Sequence, residues 1–142
     1  MSMSDQLGFT LEYALSFIGV NYEWGGNNAQ GFDCSGYVCE ILRPSGLIGN
    51  KEDLTAAAIH NKFKSKVVGS PSLGCLVFYG RDIRRITHVA FMITEDIILE
   101  AGGGGSSTID AESADKANAF VRARPYNYRT PVSFINLFDS ED

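Results

Sequence analysis

Long apolar runs are missing from this sequence. No stretch approaches the roughly 20 apolar residues that span a bilayer, so no membrane insertion is expected. Runs of like charge are missing too. With a formal net charge of −5 and no basic block, a general electrostatic grip on nucleic acid is excluded as a main function. The closing Asp139-Ser140-Glu141-Asp142 is acidic but too short to serve as a tail. Cysteines are few and odd in number (Cys34, Cys39 and Cys75), which argues against a disulfide framework. No C-x-x-C pair and no His/Cys spacing suggests zinc, and no metal or cofactor is expected. Met1 to Asp5 lacks the basic start and apolar run of a secretory signal, so the chain reads as one made in a reducing cytoplasm.

What is present is a globular composition. The chain has 142 residues, 44% of them hydrophobic, with nine Phe and six Tyr, enough for one buried core. Residues 1–142 read as one domain without internal repeats. Leu7, Leu11, Leu15 and Ile18 recur at helical spacing and predict an amphipathic helix from about Ser4 to Ile18, ended by Gly19. A second helix should run from near Asp33 to Leu42, with Val38, Ile41 and Leu42 on its apolar side. A third should cover Leu54 to Phe63, capped by Asp53 or Thr55. Beyond Gly69-Ser70-Pro71 the pattern changes. Cys75 to Tyr79, Thr87 to Ile93 and Asp96 to Ala101 read as strands, the last two joined as a hairpin through Thr94-Glu95. Phe120 to Pro125 reads as a fourth strand and Val132 to Phe138 as a fifth or a docked tail. Residues 111–119 read as a short helix or an ordered loop, and Gly102 to Gly105 as a turn. Helices first and strands after point to an α+β fold with an antiparallel sheet.

The sharpest local feature is Gly31-Phe32-Asp33-Cys34-Ser35-Gly36, which sets a cysteine where a loop turns into a helix. The first-turn N–H groups and the helix dipole favour negative charge there, so they stabilise a thiolate and suit the oxyanion of a tetrahedral intermediate. Taken alone, Cys34 has a plainer account as a buried small hydrophobe. His88 heads an apolar strand. Alternation places His88, Ala90 and Met92 on one face and Val89, Phe91 and Ile93 on the other. A base at a strand end, facing a thiol at a helix N-terminus, is what a Cys–His pair requires. The other histidine, His60, lies among alanines and charged neighbours and reads as solvated. Glu100, 12 residues after His88, interrupts the run Ile97-Ile98-Leu99 and is expected to point away from the core. Its carboxylate is placed to orient the imidazole and favour imidazolium. The alternative is an edge carboxylate beside a glycine turn.

Together, Tyr22-Glu23-Trp24-Gly25-Gly26 and Gly31-Phe32-Asp33-Cys34-Ser35-Gly36-Tyr37-Val38 resemble the nucleophile region of the NlpC-type cysteine peptidases, papain-like cell-wall hydrolases of bacteria and their phages. Gly74-Cys75-Leu76-Val77-Phe78-Tyr79-Gly80 resembles the first core strand of that family, which usually carries Asp where Cys75 stands. His88-Val89-Ala90-Phe91-Met92-Ile93 resembles its catalytic-histidine strand. The resemblance implies a papain-like α+β fold, with N-terminal helices packed on a C-terminal antiparallel sheet. It also implies that Cys34 attacks a carbonyl, that His88 acts as base and then acid, and that the Tyr22 hydroxyl stands near the reacting centre. Asp33 and Ser35 would hold the free amine of a peptidoglycan stem peptide, with Trp24 beside them. Aromatic packing remains open for Tyr22 and Trp24, and a helix N-cap for Asp33.

Glu100 departs from the family pattern, whose third polar residue is usually His, Asn or Gln. The segments at 100–105 and 120–125 look more like the small phage and prophage members, which implies phage tail or virion components as partners and a route to the cell wall within a virion or through lysis. Two other functions share these features. One is amidase or acyl-transfer chemistry of the same fold on a non-wall substrate. The other, of a different class, is an inactive virion structural or adaptor protein.

Overall fold

The computed structural model describes residues 2–19, 27–28, 31–102 and 120–138. Three helices precede most of the strands: α1 (Met3–Leu15), α2 (Cys34–Leu42) and α3 (Ala56–Lys62). Strands β1 (Asn27–Asn28) and β2 (Gly31–Phe32) form a two-residue ribbon just ahead of α2. The main sheet holds β3 (Val67–Val68), β4 (Cys75–Gly80), β5 (Ile86–Met92), β6 (Ile97–Gly102), β7 (Phe120–Pro125) and β8 (Pro131–Asn136). Its spatial order is β3-β8-β4-β5-β6-β7, with antiparallel neighbours throughout. This is the α+β, papain-like arrangement expected, with helices on one face of an antiparallel sheet.

Alternation along the strands sorts two apolar layers. Leu76, Phe78, Val89, Phe91, Leu99, Ala101, Val121 and Ile135 face the helices and join Tyr37, Val38, Ile41 and Leu42 of α2 and Ile59 of α3. Cys75, Val77, Tyr79, Ala90, Met92 and Ile98 form a second layer on the opposite face, covered by Val68, Phe134, Tyr126 and Tyr128. Burial on both faces removes far more apolar area from water than an amphipathic sheet would, at roughly 25 cal/mol per Å². α2 is the centre of the first layer. Its Tyr37 is wholly buried and donates its hydroxyl to the Ala14 carbonyl at 2.8 Å, and Tyr13 of α1 donates to Glu40 Oε2 at 2.6 Å. These bonds fix α1 against α2.

Some expectations shift. Within α1 Thr10 and Ala14 are buried, Met3, Leu7 and Leu11 pack partly buried against the core, and Leu15 and Ile18 are about half exposed. The expected stripe therefore meets the core at Leu7 and Leu11 and leaves it at its C-terminal end, where Leu15 lies about 80° round from Leu7 at roughly 3.6 residues per turn and Ile18 falls beyond the helix. The helix also ends at Leu15, and Gly19, with φ +91°, donates its N–H to the Val121 carbonyl at 2.8 Å. Thr55 caps α3 by accepting from Ala58 N–H. His60 is not solvated. Its ring packs edge-on to Phe78 at 4.8 Å and its Nε2 meets Ser133 Oγ at 2.9 Å, a partner that comes from β8. The segments at 103–105 and 111–119 lie outside the described residues.

Candidate active site

Asp33 caps α2. Its side chain accepts from Gly36 N–H at 2.6 Å, which turns the chain into the helix and leaves Cys34 as the first helical residue. The Cys34 thiol therefore sits at the positive end of α2, partly exposed, while Cys39 and Cys75 are buried. Burial pushes the Cys39 thiol pKa up. The Ser35 hydroxyl reaches Asp33 Oδ1 only at 3.4 Å, a weak contact.

α2 packs across β5, and Cys34 Sγ lies 4.0 Å from the Thr87 carbonyl oxygen, next to His88. The His88 ring meets Glu100, its Nε2 lying 2.7 Å from Oε1, and Cys34 lies near enough to influence the charge of the ring. With Nε2 engaged by Glu100, Nδ1 is the ring nitrogen left to serve the thiol. Both side chains project to the second face of the sheet, by alternation with Ala90 and Met92 on β5 and with Ile98 on β6, which line that face. Tyr79, directly across from His88 on β4, lays its ring 5.6 Å from the imidazole. The His88 side chain retains 14% exposure.

Glu100 points away from the helix-side core but not into water, being 1% exposed. Its Oε1 also accepts from Tyr128 Oη at 3.1 Å, and its Oε2 from Arg124 Nη1 at 3.2 Å, with Arg122 Nε 3.9 Å away. Burial alone would raise the pKa of this carboxyl. The hydrogen bond and charge of His88, then the bonds from Arg124 and Tyr128, outweigh it and hold the carboxyl below its usual range. Burial alone would likewise lower the His88 pKa. Cys34, the larger influence, and then Glu100 reverse this and push it up to about 10, which favours the imidazolium form. A cysteine at a helix N-terminus and a histidine held by a carboxylate are the groups that a nucleophile–base pair for acyl transfer requires.

Cys34, His88 and Glu100 thus come together from α2, β5 and β6. Asp33 and Ser35 flank the sulfur. Tyr22 and Trp24 lie outside the described residues. Arg124 and Tyr128 are additions that motif reading did not single out, although Arg122 and Arg124, two residues apart on a strand, already share one face in the sequence. Among the described residues, no group of three or more His, Cys, Asp or Glu side chains is placed to hold a metal ion.

Residues 19–124 match the model of the NlpC/P60 family. The chain belongs to the NlpC/P60 family. It is 30% identical over 92 residues to the probable peptidoglycan endopeptidase LytE of Bacillus subtilis, covering 65% of this chain and 26% of that protein. It is also 30% identical over 106 residues to the bifunctional muramidase/DL-endopeptidase CwlT of the same organism, covering 72% of this chain and 31% of that protein. The chain therefore spans between a quarter and a third of the length of these relatives. The P60 domain of the Mycobacterium avium subspecies paratuberculosis antigen MAP1204 superposes with a TM-score of 0.69 at 18% identity, covering 97% of this chain and 98% of that one. This likeness extends the NlpC/P60 fold over nearly the whole chain. Among the described residues, no helix is long and apolar enough to cross a membrane.

Proposed function

We propose that this chain is one catalytic domain, a cysteine peptidase that cuts a peptide bond in the stem peptides of bacterial peptidoglycan. The observation that carries the reading is the 2.7 Å bond from His88 to the buried Glu100, with the Cys34 thiol on the other side of the ring at a helix N-terminus. Family membership and the named activities of LytE and CwlT support the substrate.

In this account the Cys34 thiolate attacks the carbonyl carbon, and the oxyanion is held by the N–H groups of Cys34 and Ser35 at the start of α2. The imidazolium gives its Nδ1 proton to the leaving amine as the C–N bond breaks, leaving a thioester on Cys34. The now neutral His88 takes a proton from water as the water oxygen attacks the thioester, the C–S bond breaks, and the sulfur leaves as thiolate beside the re-formed imidazolium. Glu100 holds the ring in place through both halves. Asp33 and Ser35, beside the nucleophile, receive the free amine of the stem peptide. Asp33 serves this role alongside its capping bond. The family resemblance supports roles for the Tyr22 hydroxyl in the reaction and for Trp24 in substrate binding. Similarity of the 100–105 and 120–125 segments to small phage members supports delivery within a virion or by lysis, with virion components as partners.

Purified peptidoglycan, digested with the chain and analysed by mass spectrometry, should release muropeptides with one new amine and one new carboxyl terminus. The Cys34→Ala chain should release none. Reaction of Cys34 with a thiol-directed probe but no muropeptide release would move the activity to a non-wall amide or acyl acceptor. No probe reaction in the folded chain would point to an inactive scaffold.

A further inference from the structure

We propose that Arg124, together with Arg122 and Tyr128, forms a positioning clamp that keeps Glu100 ionised and aimed at His88, and that the clamp is what allows a buried carboxylate to serve as the third member of the catalytic set. The clamp acts within the peptidase reading above and rests on its Cys34–His88–Glu100 assignment.

Oε1 is shared between the reacting side and the clamp, and Oε2 belongs to the clamp alone. Oε1 takes His88 Nε2 at 2.7 Å and Tyr128 Oη at 3.1 Å, while Oε2 takes Arg124 Nη1 at 3.2 Å and faces Arg122 Nε at 3.9 Å. Arg122 stands directly across from Glu100 in the β6–β7 register, and Arg124 is two residues further along the same face, across from Ile98. The Arg124 guanidinium lies 3.6 Å over the Tyr128 ring, so the tyrosine both supports the cation from below and donates its own hydroxyl to Glu100. Its phenol pKa is pushed up to about 12, by burial first and then by Glu100, so it stays a donor. Arg122 Nε is buried without a hydrogen-bond partner among the described residues, and Glu100 is the acceptor it faces.

The groups around the site come from every packed element. Glu100 is faced by His88 from β5, by Arg122 and Arg124 from β7 and by Tyr128 from the turn behind β7. Tyr79 from β4 lies 5.5 Å from the Tyr128 ring and 5.6 Å from His88, and Arg129 lies 5.9 Å over Tyr79. Cys34 from α2 faces the far side of His88.

Catalysis makes such a clamp necessary. A buried carboxylate left without a cation costs several kcal/mol. His88 supplies that cation only while it is imidazolium, and it is neutral from the moment it protonates the leaving amine until the thioester is hydrolysed. With His88 as sole partner, Glu100 would then be a bare buried anion and would compete for the proton the reaction needs. Arg124 and Arg122 hold their charge throughout, so the carboxylate stays an acceptor in both states. A neutral acceptor at position 100 would need no counter-charge.

The test is the rate at which iodoacetamide alkylates Cys34 as a function of pH, which needs no peptidoglycan and is unaffected if the substrate assignment is wrong. In Arg124→Gln, Glu100 should take up a proton on mild acidification and release its hold on the imidazolium. The rate at pH 5 relative to pH 7 should then fall roughly tenfold further than in the native chain. Arg124→Lys, which restores the charge, should recover the native ratio. In a Glu100→Gln background there is no carboxyl to protonate, so adding Arg124→Gln should leave the ratio unchanged. An equal fall in both backgrounds, or no fall in either, would overturn the clamp. If Arg124→Gln does not fold, Tyr128→Phe, which keeps the ring under Arg124, should give a smaller fall that again vanishes with Glu100→Gln. Its absence, or its persistence in that background, would be equally decisive against the clamp.

Discussion

Exchanging Glu100 for Gln removes a charge from the centre of the site while keeping its shape and one acceptor oxygen. His88 Nε2–H can still be held, so the ring stays oriented, but its bond changes from charge-assisted to neutral. Hydrogen bonds to charged groups contribute about 1.5–3 kcal/mol and neutral ones about 1. The difference, roughly 0.5–2 kcal/mol, corresponds to a loss on the order of two- to thirtyfold in kcat/KM, not abolition. The pH dependence moves with a definite sign. In the native chain Cys34 and Glu100 hold the His88 pKa up at about 10 against burial. Losing the smaller of these two influences weakens the opposition to burial without removing it, so the alkaline limb of the rate profile should shift downward by about one unit. Stability should follow. A histidine raised above its unfolded value of 6.5 contributes stability that is fully present below that pH and is lost as pH rises through about 10. The variant should therefore be less stable than the native chain at pH 6.5, with the gap closing towards pH 10. Rates on a stem-peptide substrate from pH 5 to 10, and urea melts at pH 6.5 and 9.5, read both effects. An unchanged alkaline limb together with native kcat/KM would refute the role given to Glu100.

Three further outcomes follow from the geometry. Iodoacetamide at neutral pH should modify Cys34 well before Cys39 or Cys75, since Cys34 is partly exposed and the other two are buried; peptide mapping showing comparable labelling of a buried cysteine would contradict the site. Cys34→Ala and His88→Ala should each abolish turnover without adding to one another in the double variant, because either loss disables the pair; a double variant much slower than both would break the pairing. Gly80→Ala should destabilise the chain by about 1–3 kcal/mol in urea, since a Cβ there would collide with the Arg85 carbonyl and lie 2.8 Å from Ile86 Cα at the irregular start of the catalytic strand; a native melt would show that this turn has slack.

Much of the fold could be read locally. The cap at Asp33, the apolar side of α2, the alternation of β5 and the β5–β6 hairpin each follow from a few neighbouring residues, and they carry Cys34, His88 and Glu100 into place. What could not be read depends on distant partners. The sequence turns Glu100 away from the core because a carboxylate breaks an apolar run; its burial depends on Arg124 and Tyr128, which arrive 24 and 28 residues later. His60 looked solvated for the same reason, its partner Ser133 being 73 residues away. β3 is two residues long, too short for a period to show, and the insertion of β8 between β3 and β4 leaves no local trace. In α1, Leu7 and Leu11 meet the core as their spacing predicts, whereas the buried members Thr10 and Ala14 are too weakly apolar to stand out in a hydrophobic pattern.

The central claim is that Cys34 carries the acyl group of a stem peptide. Acid-quenched digests of peptidoglycan fragments, analysed by intact-protein and peptide mass spectrometry, test it directly. The account predicts a transient adduct on the peptide containing Cys34, equal in mass to the acyl half of the cleaved stem peptide and released by hydroxylamine. Cleavage that persists in Cys34→Ala, with no adduct at that position in the native chain, would contradict it.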